Sequence, residues 1–300
     1  MTGCILLNKS PGITSFDSLR PVKKAFNTPK VCHTGTLDSF AEGLLVLLTG
    51  RAVKLSSYFT GCDKQYRAIL RFGEETDTLD PLGTTVATGS IPHPEEIKAA
   101  LTSFTGTIFQ APPVFSAIHI NGKRAHELAR AGAAIEMKKR PVTIYSISLT
   151  SWESPHAELE VHCSSGTYIR SLARDIALAI GSRAHLRSLI RTKVGNFLLE
   201  DAISLPSGTG EEPDKEFSME ETLKTALQPL TPELFSKLGI HYIQLNDHDA
   251  RIVSRGGDLQ SLINIIPAHT PIALFGPDSF AALIEKKEHL WKYRFVNAAD

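Results

Sequence analysis

In Lys64–Phe72, Tyr66, Ala68, Leu70 and Phe72 alternate with Gln65, Arg67 and Arg71. In Ala157–Cys163, Leu159, Val161 and Cys163 alternate with Glu158, Glu160 and His162. Period-two alternation puts one set of side chains on each face of an extended chain, so both segments are expected as strands with one face in a core. Ile69 departs from the pattern on the outer face. Gly43–Gly50, an apolar run between glycines, suits a strand buried on both faces. Val142–Leu149 reads as a strand from its β-branched content. These runs exclude an all-helical bundle.

Helical patterns lie between the strands. Pro94 can open a helix at its first position, running to Leu101. Lys123–Ala131 ends at Gly132, a plausible C-terminal cap. Tyr168–Ile180 places Ile169, Leu172, Ile176 and Ile180 on one face, and Ser182 could cap a further helix through Arg191. Strands with interspersed helices predict an α+β fold with a largely antiparallel mixed sheet and flanking helices. Further on, Met219–Leu227 and Pro232–Leu238 read as helices, and Asn246 could cap Asp247–Ser254, closed by Gly256-Gly257. Strand-like pieces follow at Ser261–Ile266, Pro271–Phe275, Ser279–Ile284 and Leu290–Val296, a small strand-rich C-terminal unit.

A chain of 300 residues suggests two domains, or one large one with an appendage, at about 150 residues per domain. The apolar-poor segment from Pro206 to Asp214 is the best linker candidate. The formal net charge is zero, but residues 1–200 carry 23 basic and 17 acidic side chains while residues 201–300 carry 9 and 15. Polyanion contact is therefore expected in the front part. No run of 18 apolar residues is present, so no transmembrane helix is expected. The first residues do not read as a secretion signal. Cys4, Cys32, Cys62 and Cys163 form no C-x-x-C pair, which predicts neither a zinc clip nor a disulfide framework and favours a reducing cytoplasm.

Several segments could carry chemistry. Cys32-His33-Thr34-Gly35-Thr36-Leu37-Asp38 places one carboxylate on a loop beside a buried strand, a usual site for a catalytic group. A turn in which Asp38 bonds nearby amides accounts for the same residues. Arg170 and Arg174 share a four-residue spacing, repeated by Arg183, Arg187 and Arg191, with Lys193 beyond. This stripe is either a phosphate-contacting surface or a solvated helix face. Glu75, Asp77 and Asp80 fit a polar loop better than a calcium loop. The eleven histidines show no metal-ligand spacing, and no glycine-rich nucleotide motif is present. No metal and no cofactor are expected.

Taken together, His33-Thr34-Gly35-Thr36-Leu37-Asp38, Lys64-Gln65-Tyr66, Gly73 with Thr76-Asp77-Thr78-x-Asp80, Pro112-Pro113-x-x-Ser116-Ala117, Asn121-Gly122-Lys123, Ala129-Arg130-x-Gly132 and Ser165-Gly166-Thr167-Tyr168-Ile169-Arg170-Ser171-Leu172-x-x-Asp175 resemble the bacterial TruB-type tRNA pseudouridine-55 synthases. The likeness spans roughly residues 5–200. It implies a pseudouridine synthase catalytic domain over 1–205 and a linker with connecting helices over 206–234. A PUA-like RNA-binding domain would occupy 235–300.

The implied reaction is isomerisation of uridine 55 in the tRNA T-loop. It breaks the N1–C1′ bond and rejoins the base through C5, without cofactor, in a cytoplasmic and monomeric protein. The resemblance implies Asp38, Tyr66 and Arg170 as catalytic. It implies His33, which takes the place of the flipped base, with Tyr168, Leu189 and Lys9 around the pocket. Arg174, Arg187 and Lys193 would hold phosphates. The proline of the Lys9-Ser10-Pro11 segment is displaced by one from the family pattern. Ser39, His119, His126 and Ile190 also depart from it; none removes a proposed catalytic group. A non-catalytic tRNA-binding or folding factor is the alternative, opposed by the intact Asp38, Tyr66, Tyr168 and Arg170. A carboxylate-dependent glycosidic hydrolase would need a second carboxylate.

Overall fold

The strands expected before residue 200 assemble into one sheet. The computed structural model describes residues 1–116, 118–120, 122–125, 137–205, 213–259, 262, 271–288 and 290–297. The main sheet contains β1 (Gly3–Lys9), β2 (Val31–His33), β3 (Glu42–Thr49), β4 (Lys64–Phe72), β5 (Gly106–Gln110), β6 (Arg140–Glu153), β7 (His156–Cys163), β8 (Ala184–Val194), β9 (Phe197–Leu198) and β10 (Ile203–Ser204). Its order is β10-β1-β3-β8-β4-β7-β6-β5, with β2 on β3 and β9 on β8. Only the β1–β10 and β3–β8 pairs are parallel.

Alternation fixes which face each residue takes. Ala68, Leu70 and Phe72 of β4 and Leu159, Val161 and Cys163 of β7 enter one core, covered by the helices Ile169–Ala179 and Pro94–Leu101. Each such aliphatic side chain contributes about 1.5–3 kcal/mol when fully buried. The strand β3 is apolar throughout because both its faces are covered. Leu44, Val46 and Leu48 point into a second core, and Leu45 and Leu47 into a third beneath the helix Leu19–Ala25. Tyr66 at the β4 end pairs with Val161 on one side and Arg191 on the other.

Two sequence expectations are corrected. The expected helix from Ser182 to Arg191 is instead the strand β8, paired along β4. Register shifts at Leu186/Ser188 and Arg191/Lys193 explain the misreading. A bulge adds a residue to one strand, so the inward positions Leu186 and Leu189 fall three apart, a spacing that mimics a helix. The start of the expected helix at Lys123 is a short strand, Lys123–Arg124, paired with His119–Ile120. Residues 126–131 of that expectation lie outside the described residues, as do Ala117, Asn121, Gly132 and residues 206–212.

The helix Pro213–Thr225 begins before the expected Met219 and seats Leu223 against Ile5, Leu7, Leu19 and Val22. Asn246 caps Asp247–Ser254 as expected, accepting a bond from Asp249 N. A separate four-stranded sheet follows: β11 (His241–Gln244), β12 (Ile272–Phe275), β13 (Phe280–Lys287) and β14 (Leu290–Val296). Of the expected strand Ser261–Ile266, only Leu262 is described, and it is buried. The two sheets share no ladder but do share a core. Phe235, Phe275, Phe280, Leu283 and Phe295 pack in one cluster with Cys4, Leu6, Leu48 and Phe59. Tyr58 hydrogen-bonds Glu285 across that junction.

Candidate active site

The loop from Thr34 to Ala41 follows β2 and is tied down at nearly every residue. Thr34 N donates to Val46 O at 3.0 Å. The Arg191 guanidinium reaches in from β8, donating to Leu44 O at 2.7 Å, Gly35 O at 3.1 Å and Thr36 O at 3.4 Å. Leu37 is buried, and Ser15 Oγ bonds both its N–H and its carbonyl at 2.8 Å. Ser39 O accepts from Gly12 N at 2.7 Å and from Lys9 Nζ at 3.4 Å. Asp38 thus sits between two clamped neighbours. Its side chain keeps 34% of its exposure.

Arg170 arrives from the start of the helix Ile169–Ala179. Gly166 takes the left-handed φ of +82° in the preceding turn, a conformation that favours glycine. Gln110 of β5 grips the next peptide: Tyr168 N donates to Gln110 Oε1 at 2.8 Å and Gln110 Nε2 to Tyr168 O at 3.1 Å. The Arg170 guanidinium is buried, and both its Nη atoms are engaged. Nη2 donates to Asp38 Oδ1 at 3.1 Å and to Phe115 O at 3.0 Å. Nε lies 2.9 Å from Asp38 Oδ2 as a close ion pair whose N–H points off the line. Nη1 donates to Thr78 O at 2.9 Å and faces Asp80 Oδ2 at 3.4 Å.

Asp80 is the residue the sequence reading missed. Assigned to a polar loop, it is buried, accepting from Thr78 Oγ1 at 2.6 Å and Leu82 N at 3.0 Å. One arginine therefore holds two carboxylates. The only signal was its place in Thr76-Asp77-Thr78-x-Asp80; its contact with Arg170 spans 90 positions. Gln110, also buried, carried no signal at all.

Burial raises the pKa of Asp38; the Arg170 charge opposes that shift, and the Asp80 charge adds to it. An opposite charge favours ionisation while a like charge disfavours it, so Arg170 favours the anionic form of a half-buried Asp38 against the pull of burial and Asp80. Burial also raises Tyr66, with the neighbouring Arg191 guanidinium opposing it, and raises Tyr168. Burial and Arg191 lower His33, which favours its neutral form. His33 Nδ1 is buried without a hydrogen-bond partner among the described residues. Leu189 lies buried in the same core as Tyr66, beside Ala68.

The remaining expected residues divide. Lys9, placed around the substrate pocket from the sequence, is fully buried and donates to Ser10 O at 2.9 Å, Ile13 O at 2.8 Å and Ser39 O. It clamps two loops together, and burial pushes its pKa down to about 8. Arg174 is held by Asp175 at 2.8 Å and by Ala111 O at 3.3 Å. Arg183 faces Glu75 at 3.8 Å, and Arg191 is spent on the loop that carries Asp38. Arg187 is exposed and Lys193 half-buried, neither with a partner among the described residues. The stripe is thus not a continuous basic face. Among the described residues no group of three His, Cys, Asp or Glu could hold a metal.

Residues 23–169 match the model of the TruB family pseudouridylate synthase N-terminal domain. The chain is 52% identical over 203 residues, 67% of its length and 72% of the relative's, to tRNA pseudouridine synthase B of Borreliella burgdorferi. It is 46% identical over 209 residues, 68% of its length and 86% of the relative's, to tRNA pseudouridine synthase B of Bordetella avium. Among solved structures, a chain in the crystal structure of a Cbf5-Nop10-Gar1 complex superposes over 99% of this chain and 84% of its own, with a TM-score of 0.68 and 25% identity.

Proposed function

This chain belongs to the TruB family of pseudouridylate synthases, and on that premise we propose that it isomerises uridine 55 of the tRNA T-loop through Asp38, without a cofactor. It is an isomerase acting on tRNA uridine. The observation that carries the finer reading is the pairing of Arg170 with Asp38, one hydrogen bond and one close ion contact, which aims a half-buried carboxylate and favours its charge. An ionised carboxylate can act as a nucleophile or stabilise cationic sugar character when N1–C1′ breaks. Rejoining at C5 then exchanges one proton at C5 for one at N1, with no redox change.

Tyr66, beside Asp38 and Arg191, is the group to stack on the base. Tyr168 lines the other side, and Leu189 supports the floor. The target base must leave its stack, at a cost of a few kcal/mol. A neutral His33 can fill the vacated space. Arg187 and Lys193 are the open cations for phosphate contact. The C-terminal sheet, residues 235–300, is assigned as a PUA-like RNA-binding domain, and the protein as a cytoplasmic monomer.

The test is mapping of pseudouridine by mass in tRNA treated with the pure protein and with Asp38→Asn. Asn keeps the shape but supplies no ionised oxygen. The parent should place one pseudouridine at position 55, and the variant should bind tRNA without making product. Turnover by Asp38→Asn within about tenfold of the parent, under about 1.4 kcal/mol of barrier, would refute the assignment.

A further inference from the structure

With Arg170, Arg174, Arg183 and Arg191 all engaged within the protein, the stripe at 168–193 leaves two open cations for a polyanionic substrate. A second basic surface starts at the catalytic loop itself. The segment Ser10–Ser18 is bonded to that loop through Ser15–Leu37 and Gly12–Ser39, and it runs straight into the helix Leu19–Ala25. That helix buries Leu19, Val22 and Ala25 and presents Arg20, Lys23 and Lys24 along a groove completed by Asn27, Thr28 and Pro29. Lys30 follows, also exposed; Asp17, the one acid in the stretch from 17 to 30, pairs with Arg20 at 2.9 Å, which leaves Lys23 and Lys30 as the cations for phosphate.

Two features separate this surface from an ordinary solvated helix face. Phe16 is 62% exposed and Ile13 41%, with Lys23 Nζ 5.2 Å above the Phe16 ring. Cations interleaved with an exposed aromatic ring suit a surface on which phosphates are neutralised and a base can stack. The lysines are also not needed to cap their helix. The carbonyls of Val22, Lys23 and Lys24 already accept from the N–H groups of Phe26, Thr28 and Asn27.

We propose that the surface from Ile13 to Lys30 binds the phosphate backbone of the substrate RNA outside the nucleotide being modified, with Phe16 as its stacking platform. This rests on the tRNA reading above. Its bonds to Leu37 and Ser39 make it continuous with the residues flanking Asp38, so the same RNA can engage both.

The test compares the parent with Lys23→Ala/Lys30→Ala and with Phe16→Ala, using a tRNA transcript between 50 and 200 mM salt. Removing a cation from one duplex phosphate should flatten the slope of log affinity against log salt by about 0.9, so the slope of the double variant should be shallower by about two. Phe16→Ala should weaken binding with the slope kept. In both, the loss should fall on the RNA concentration giving half-maximal rate rather than on the single-turnover rate at saturation. Unchanged affinity and slope in variants that keep the parent's melting temperature would overturn the proposal. So would a loss confined to the saturating rate, which would mean the changes act through the Ser15–Leu37 hydrogen bonds. A parent that neither binds nor modifies tRNA would instead overturn the underlying functional reading, and this surface with it.

Discussion

Replacing Arg170 by Lys keeps one positive charge beside Asp38 but not its geometry. The guanidinium donates to four oxygens on four residues, Asp38 Oδ1, Asp80 Oδ2 and the carbonyls of Thr78 and Phe115, and holds Asp38 Oδ2 as a close ion contact. An ammonium presents three donors from one atom on a flexible stem, so at least one of those four hydrogen-bonded oxygens must go without a donor. A buried acceptor left unpaired costs about 1–3 kcal/mol, which is the least by which stability should fall. The effect on chemistry is separate. An error of about 1 Å in placing a reacting group costs on the order of a hundredfold in rate. With only one arm of the pair kept, turnover should fall between about 10- and 100-fold, or about 1.4–2.8 kcal/mol of barrier. Single-turnover kinetics at saturating tRNA, run beside equilibrium binding and thermal melting, reads these effects apart. Affinity should change little. Turnover equal to the parent's would mean that Arg170 supplies charge alone. A loss confined to affinity would move Arg170 out of the active site.

Asp80→Asn removes the like charge that helps hold Asp38 above its ordinary pKa. The parent should lose rate as pH falls through that raised value, and the variant's acid limb should lie at lower pH; superimposable single-turnover pH profiles would show that Asp80 exerts no charge effect on Asp38. Lys9→Met leaves the carbonyls of Ser10, Ile13 and Ser39 without their donor while relieving a buried charge, so stability should fall by about 2–4 kcal/mol. Its tRNA affinity should hold, and weakened affinity with an unchanged melting temperature would place Lys9 on the substrate side after all. Arg187→Ala with Lys193→Ala should weaken tRNA binding and flatten its salt dependence by up to about two in slope. An unchanged slope would assign both residues to solvent.

Alternation alone sufficed to place β4 and β7 and to choose their buried faces, because a strand's side chains follow period two wherever one face is covered. The apolar run of β3, the helix at Ile169–Ala179 and the Asn246 cap were legible for the same reason: each is a local pattern. Asp38 and Arg170 stood out through their motifs. What local pattern could not carry was decided by the assembled sheet. The bulges of β8 disguised a strand as a helix, since their extra residues arise only from pairing against β4. The even-looking arginine stripe dissolved because burial and partners differ at each position: Arg191 braces the catalytic loop, Arg174 is held by Asp175, and Arg187 is left in solvent. The strand-rich C-terminal unit reads as separate in sequence, yet its Phe280 and Phe295 complete a core begun by Cys4 and Leu6. Asp80 gained its meaning only when the fold set it across Arg170 from Asp38. A charge network is a property of distance in space, and residues 38, 80 and 170 have no spacing along the chain that announces it.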